Sequence, residues 1–147
     1  MKQSILFCSL FLAIFLHCKP TMDDTAAIKQ LLEKESATWR AGDFKGHSEC
    51  WHIQPYSKIL VSTPTGQTFD VPPALMHDPN AKMGDGGSSV NSNYNMSIHG
   101  DYAWVSHDEI STAKDGVKSY SHEIRMLEKV GGVWKLVGQS IHVYRSV

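Results

Sequence analysis

The last quarter of the chain constrains the fold most. It reads Tyr120-Ser-His-Glu-Ile-Arg-Met-Leu-Glu-Lys-Val130, then Gly131-Gly132, then Val133-Trp-Lys-Leu-Val-Gly-Gln-Ser-Ile-His-Val-Tyr144. Both runs alternate in polarity and are rich in β-branched and aromatic side chains. The Gly-Gly dipeptide can take the positive φ values of a two-residue turn, so the segment predicts a strand, a tight turn and a strand. With that turn, Val130 faces Val133, Leu127 faces Leu136, Arg125 faces Gly138, Glu123 faces Ser140 and Ser121 faces His142.

Upstream, Asp23-Asp24 offer N-cap candidates ahead of Ile28, Leu31, Leu32, Glu35 and Trp39, whose three- and four-residue spacings predict an amphipathic helix ending near Gly42. Asp43 can cap a shorter second helix through Trp51, and Pro55 breaks the pattern. Residues 57–71 read as a small hairpin and Ala74 to His77 as a short helical piece. Residues 78–92 read as a polar, Gly/Ser-rich loop, either a rim or plain disorder. Tyr94 to His99, Tyr102 to Thr112 and the closing pair complete four long antiparallel strands. Helices first and strands after them give an α+β domain in which one sheet face accepts the helices.

The N-terminus reads as a targeting segment. Lys2 precedes an apolar run from Ile5 to Leu16, too short to span a bilayer but suited to a secretory signal. Phe15-Leu-His-Cys18 resembles the lipobox of bacterial lipoproteins, departing from it at His17, where a small residue is usual. The organisation expected is a lipoprotein-type signal over residues 1–18 with lipidation at Cys18, a linker over 19–23 and a domain over 24–147. The expected location is the cell envelope, with the lipid anchor as the sole membrane contact. Cys50 then stands alone, although a free Cys18 could pair with it.

Composition excludes some functions. A formal net charge of −1 without a basic stripe disfavours nucleic-acid binding. The 8 histidines include no His-x-His or His-x-x-x-His pair, and His47, Cys50 and His52 are only a local cluster, so no metal site is expected. With no phosphate loop or nucleophile elbow, no cofactor is expected either.

Three segments carry a resemblance to the nuclear transport factor 2-like (SnoaL-like) superfamily: Trp39-Arg-Ala-Gly-Asp43, Gly100-Asp-Tyr-Ala-Trp104, and Glu123-Ile-Arg-Met-Leu-Glu-Lys-Val-Gly-Gly-Val-Trp134. The resemblance implies a cone: a curved antiparallel sheet with the N-terminal helices on its concave face and a pocket between them. It also implies a homodimer through the convex sheet face. Glu123-Ile-Arg125 with Gly132-Val-Trp134 is similar to a stretch of the association domain of calcium/calmodulin-dependent kinase II, where the matching arginine lines a deep pocket. Trp39 resembles the aromatic that closes the cone. Superfamily enzymes of the dehydratase or cyclase kind place an acid on the first helix, and only Glu35 could stand in for it here.

A preceding turn over residues 114–117 sets Trp104 against Leu127, Ser106 against Arg125 and Asp108 against Glu123. Alternation then puts Trp104, Asp108, Glu123, Arg125, Leu127 and His142 on one face, and Val105, His107, Ile124, Met126, Gln139 and Ile141 on the other. Hydrophobicity alone favours the second face as core, leaving Arg125, Glu123 and Asp108 as a solvated ladder; the resemblance places Arg125 inside, with the two acids compensating it.

Two functions follow. The first is a ligand-binding module in which Arg125, Glu123, Asp108, Trp104, Leu127 and Trp39 line the pocket for a small anionic or amphipathic molecule. The second is an isomerase, dehydratase or cyclase using His142 or His107 with a carboxylate. A dimerisation scaffold through the Val105, Met126, Val137 and Ile141 face is a third reading.

Overall fold

The computed structural model describes residues 23–84 and 86–147. The signal and lipidation readings, Cys18 included, lie outside the described residues.

The first helix, α1, runs Asp24–Ala41. The Asp23 carboxylate accepts from the Thr25 amide, and the helix stops where Gly42 turns left-handed at φ 67°. There the Gly42 amide donates to the Trp39 carbonyl (3.2 Å) and the Asp43 amide to that of Thr38 (2.9 Å). Gly42→Ala is therefore expected to cost about 1–2 kcal/mol, since L-residues pay that for left-handed backbone. Its Cβ would also lie 3.1 Å from the Gly84 carbonyl oxygen. Equilibrium urea unfolding measures the loss.

Asp43 caps α2, Phe44–Ser48, by accepting from the Gly46 amide at 3.0 Å. This helix ends three residues before Trp51, where the sequence pattern extended it. The backbone there is claimed by the sheet: Leu136 donates to the Cys50 carbonyl (2.9 Å) and accepts from the His52 amide (2.8 Å). Strands β1, Ile59–Ser62, and β2, Thr68–Asp70, form the expected small hairpin, followed by a 3-10 helix at Pro73–His77.

Four long strands follow: β3, Ser88–His99; β4, Tyr102–Thr112; β5, Lys118–Val130; and β6, Val133–Ser146. The sheet order is β2-β1-β6-β5-β4-β3, antiparallel except for the parallel pairing of β1 with β6. Residues 88–92, read from sequence as loop, are strand, since Ser88 to Ser92 pair with Thr112 to Asp108. The remaining loop is tied to the end of α1: the Gly84 and Gly86 amides donate to the Trp39 (3.1 Å) and Arg40 (2.8 Å) carbonyls.

Register decides which side chains meet. The closing hairpin pairs as expected from Val130 with Val133 to Leu127 with Leu136. An irregularity between Met126 and Leu127 then shifts the partners by one, so Arg125 faces Gln139 and Glu123 faces Ile141. The β4–β5 turn is also one residue off: Thr112, not Ala113, pairs with Lys118, and the Ala113 amide closes the turn on the Val117 carbonyl at 2.8 Å. Arg125 therefore lies opposite Val105, and Glu123 opposite His107.

A one-residue slip moves every side chain of a strand to the other face. Val105, His107 and Gln139 consequently share the buried face with Arg125, Glu123 and Leu127. Trp104 (45 % exposed), Asp108 and His142 belong to the outer face, a correction to the sequence reading.

The core sits between α1 and the sheet. Ile28 and Leu32 pack in one cluster with Ile59, Val105, Leu127 and Leu136, all buried. Each such side chain contributes about 1.5–3 kcal/mol by leaving water. Among the described residues no helix is long and apolar enough to cross a membrane.

Candidate functional site

Beyond that core, toward the outer ends of β4 and β5, the sheet and α1 diverge and leave a cavity of about 320 Å³. Its lining mixes two chemistries. Ile59, Val61, Val71, Met76, Ile141 and Val143 supply apolar surface. The polar groups are Glu35, Ser36 and Arg40 of α1 and Glu109, Glu123 and Arg125 of the sheet, with Glu123 beside Ile141 across the β5–β6 pairing.

Arg125 is the hub, 3 % exposed. One terminal nitrogen donates to Glu35 Oε2 (3.2 Å) and to the Gln139 side-chain oxygen, and the other donates to Glu123 Oε2. Ser121 Oγ donates to Glu123 Oε1 (2.8 Å). Glu109 receives Ser36 Oγ (2.8 Å) and Arg40 Nη2 (3.1 Å). Two adjoining sets of hydrogen bonds thus join α1 to the sheet, one to β5 and β6 through Arg125 and one to β4 through Glu109, and a charge taken from water is tolerable only when paired in this way.

The surroundings set the protonation states. Burial, outweighing Arg125, pushes the Glu35 carboxyl above the ordinary range. Burial raises Glu123 too, but Arg125, His107 and the Ser121 hydroxyl outweigh it and hold that carboxyl low. Arg125 is held firmly protonated, its own burial being overcome by Glu123 and Glu35. Burial, with Arg125 adding to it, lowers both His47 and His107.

His47 lines the cavity with its Nδ1 3.7 Å from Glu35 Oε1, its ring packed 5.2 Å from that of Trp39. Among the described residues neither of its ring nitrogens has a hydrogen-bond partner. His107 sits behind Glu123, Nε2 to Oε2 3.7 Å, stacked on Tyr94. Among the described residues Cys50 is free and buried, its thiol raised to about 11 by that burial, and so poorly nucleophilic.

The structure brings Arg125, Glu123 and Trp39 together at the cavity and keeps Leu127 in the core beside it. It does not bring Asp108, Trp104 or His142 there. Asp108 pairs with His122 instead of Arg125, lying 2.7 Å from His122 Nδ1 and accepting from Asn93 Nδ2 (2.7 Å) on the outer face. His142, the first imidazole candidate, lines that outer concavity. No three or more His, Cys, Asp or Glu side chains are grouped to hold a metal ion among the described residues.

Sequence reasoning missed His47, Glu109, Gln139 and Arg40 as cavity groups. Glu109 had a signal: it continues the alternation Ala103, Val105, His107 once the register is right. Glu35 stood on the Ile28, Leu32 stripe of α1, where a carboxylate has no reason to be unless something inside pairs with it.

No protein-family model and no curated protein matches the chain. Solved structures do resemble it. A protein of unknown function with a cystatin-like fold from Nostoc punctiforme superposes with a TM-score of 0.60 at 16 % identity, covering 82 % of this chain and 90 % of that one. A nuclear transport factor 2-like protein from Cytophaga hutchinsonii gives 0.60 at 15 %, covering 83 % and 99 %. A type 2 hexachlorocyclohexane dehydrochlorinase gives 0.60 at 13 %, covering 84 % and 86 %. At these identities the likeness establishes the fold alone: the chain has the nuclear transport factor 2-like, cystatin-like α+β fold.

Proposed function

We propose that this chain is a small-molecule-binding protein whose cone takes up an amphipathic ligand. One observation carries the reading: a partly open cavity of about 320 Å³ between α1 and the sheet, lined by aliphatic side chains together with a few hydrogen-bonding groups. That is the lower end of the size range for small-molecule sites, with the usual mix of apolar lining and few directed polar groups. An envelope location through Cys18, and a homodimer through the outer sheet face that exposes Trp104, Ile124 and Met126, accompany this reading as proposals.

Ser119, half-buried at the start of β5, lines the cavity. Ser119→Trp is expected to fill the cavity and abolish recovery of any small molecule that co-purifies with the wild-type protein, measured by native mass spectrometry of the folded variant. Undiminished recovery would move the binding site elsewhere.

A second reading, an isomerase, dehydratase or cyclase, is favoured by Glu35 and His47, a carboxyl and a neutral imidazole 3.7 Å apart at the cavity wall. Such a pair can pass a proton to and from a bound carbon acid. Conversion of the recovered molecule by wild-type protein, lost in His47→Gln, would favour this reading over simple binding.

A further inference from the structure

The chain enters the described fold at one end of the sheet. Asp24, at the start of α1, accepts from Lys129 Nζ (2.8 Å) and Trp134 Nε1 (2.9 Å), so the N-terminus is fastened beside the β5–β6 turn. The Lys129 amide donates to the Asp101 carbonyl (2.8 Å), which brings in the β3–β4 turn, and the Tyr56 hydroxyl donates to Glu128 Oε1 (2.6 Å), which brings in the loop ahead of β1. This end presents apolar surface to solvent. Val130 and Val133 pair across the Gly131-Gly132 turn and are exposed, and Tyr56 and Tyr102 beside them are 63 % and 65 % exposed. Exposure alone does not single this end out, since Val117 and Val147 at the opposite end of the sheet are exposed too. The start of the chain does.

We propose that the β5–β6 tip, Val130 to Val133 with Tyr56 and Tyr102 beside it, is a lipid-bilayer contact that stands the domain upright on the envelope membrane. This rests on the anchor at Cys18 proposed above. Asp23 lies five positions after Cys18, and five residues reach at most about 18 Å. A tether that short makes a second contact intramolecular, at an effective concentration on the order of millimolar, so that an insertion too weak to recruit a free domain is populated in an anchored one.

The side chains suit the boundary between headgroups and acyl chains. A tyrosine there lays its ring against apolar segments and keeps its hydroxyl at the wet side, and the two valines put aliphatic surface at the point of the hairpin. The acids nearest the valines are matched, Asp24 by Lys129 and Glu128 by the Tyr56 hydroxyl. Standing this way, the domain keeps its cavity off the membrane. Strand β5 climbs from the tip at about 3.3 Å per residue, which places Arg125 and Ser119 up to about 17 Å and 36 Å above it. The cavity then exchanges its ligand with the aqueous space and not with the lipid.

The test uses the full chain, reconstituted in vesicles of phosphatidylethanolamine and phosphatidylglycerol. A fluorophore is attached at Val133→Cys or, at the far end, at Val117→Cys; Cys50 is buried and does not compete for it. Nitroxide-bearing lipid should quench the Val133 label about threefold or more over the Val117 label, as an interfacial contact requires. Adding Val130→Asp to the Val133→Cys chain should lower that quenching to the Val117 level while the protein stays on the vesicles, since the anchor is untouched. Quenching no stronger at Val133 than at Val117, or unchanged by Val130→Asp, overturns the inference and leaves the anchor standing. A Val133 label shielded from aqueous iodide yet not quenched by lipid gives the tip to a second copy or another protein, and overturns it as well. A chain that washes off the vesicles overturns the anchor and the inference together.

Discussion

Arg125→Met is expected to destabilise the domain by about 3–5 kcal/mol, because removing one partner of a buried ion pair leaves the others charged and unpaired. The side chain is 3 % exposed and holds Glu35 of α1, Glu123 of β5 and Gln139 of β6. Methionine replaces the volume, so the loss reports charge and hydrogen bonding and not a cavity. Two comparisons separate these contributions. Glu35→Gln and Glu123→Gln in the Arg125→Met background should restore much of the stability, since the orphaned charges are then gone. Arg125→Lys should recover only part, because one ammonium cannot span three acceptors on three elements as a planar fork does. Urea unfolding monitored by tryptophan fluorescence gives all four midpoints. A loss under about 1 kcal/mol for Arg125→Met would mean that the guanidinium is solvated and that the buried network does not form.

The closing hairpin was legible from sequence because a Gly-Gly turn fixes a register for as long as the strands stay regular. From Val130 and Val133 to Leu127 and Leu136 they do. The limit of legibility was the irregularity beyond Leu127, which alternation does not reveal. It lets both Leu136 and Gln139, an odd number of residues apart, be buried. The β4–β5 turn added an independent one-residue error, since Thr112 and Ala113 are equally compatible with the Lys114-Asp-Gly116 segment. These two slips explain why Arg125 and Glu123 were placed inside while Asp108, Trp104 and His142 were placed with them wrongly. Hydrophobicity was a partial guide: it put Val105, His107 and Gln139 inside but had no means of adding an arginine to them. The residues from α1 and α2 were harder still, because which helical side chain meets Arg125 depends on how the helix lies across the sheet. Glu35 and His47 are 12 positions apart in sequence, yet they lie 3.7 Å apart at the cavity.

Acidification from pH 7 to pH 5 is expected to weaken the fold with a slope of at most about 2.7 kcal/mol per pH unit, the limit set by two protons taken up on unfolding at about 1.4 kcal/mol per unit each. The two protons belong to His47 and His107. Burial lowers both in the folded state, so below the unfolded value near 6.5 the unfolded chain binds protons that the folded one refuses, and stability falls with pH. Glu123 acts in the same direction at lower pH. Its folded value is depressed, so its contribution is present above the ordinary value of 4.5 and is lost as pH falls through the folded one. Glu35 acts oppositely. Raised by burial, it contributes most below 4.5 and loses that contribution as pH rises through its folded value, so it offsets part of the histidine slope wherever the two ranges overlap. Urea midpoints at pH 7, 6.5, 6, 5.5 and 5 measure the slope, with His47→Gln/His107→Gln as the comparison. The double variant starts from a different stability but should show a much shallower dependence, because no buried imidazole remains to exclude protons. Parallel curves for wild type and double variant would mean that both rings take up protons in place, which requires water or a mobile carboxylate to reach them inside the folded cone.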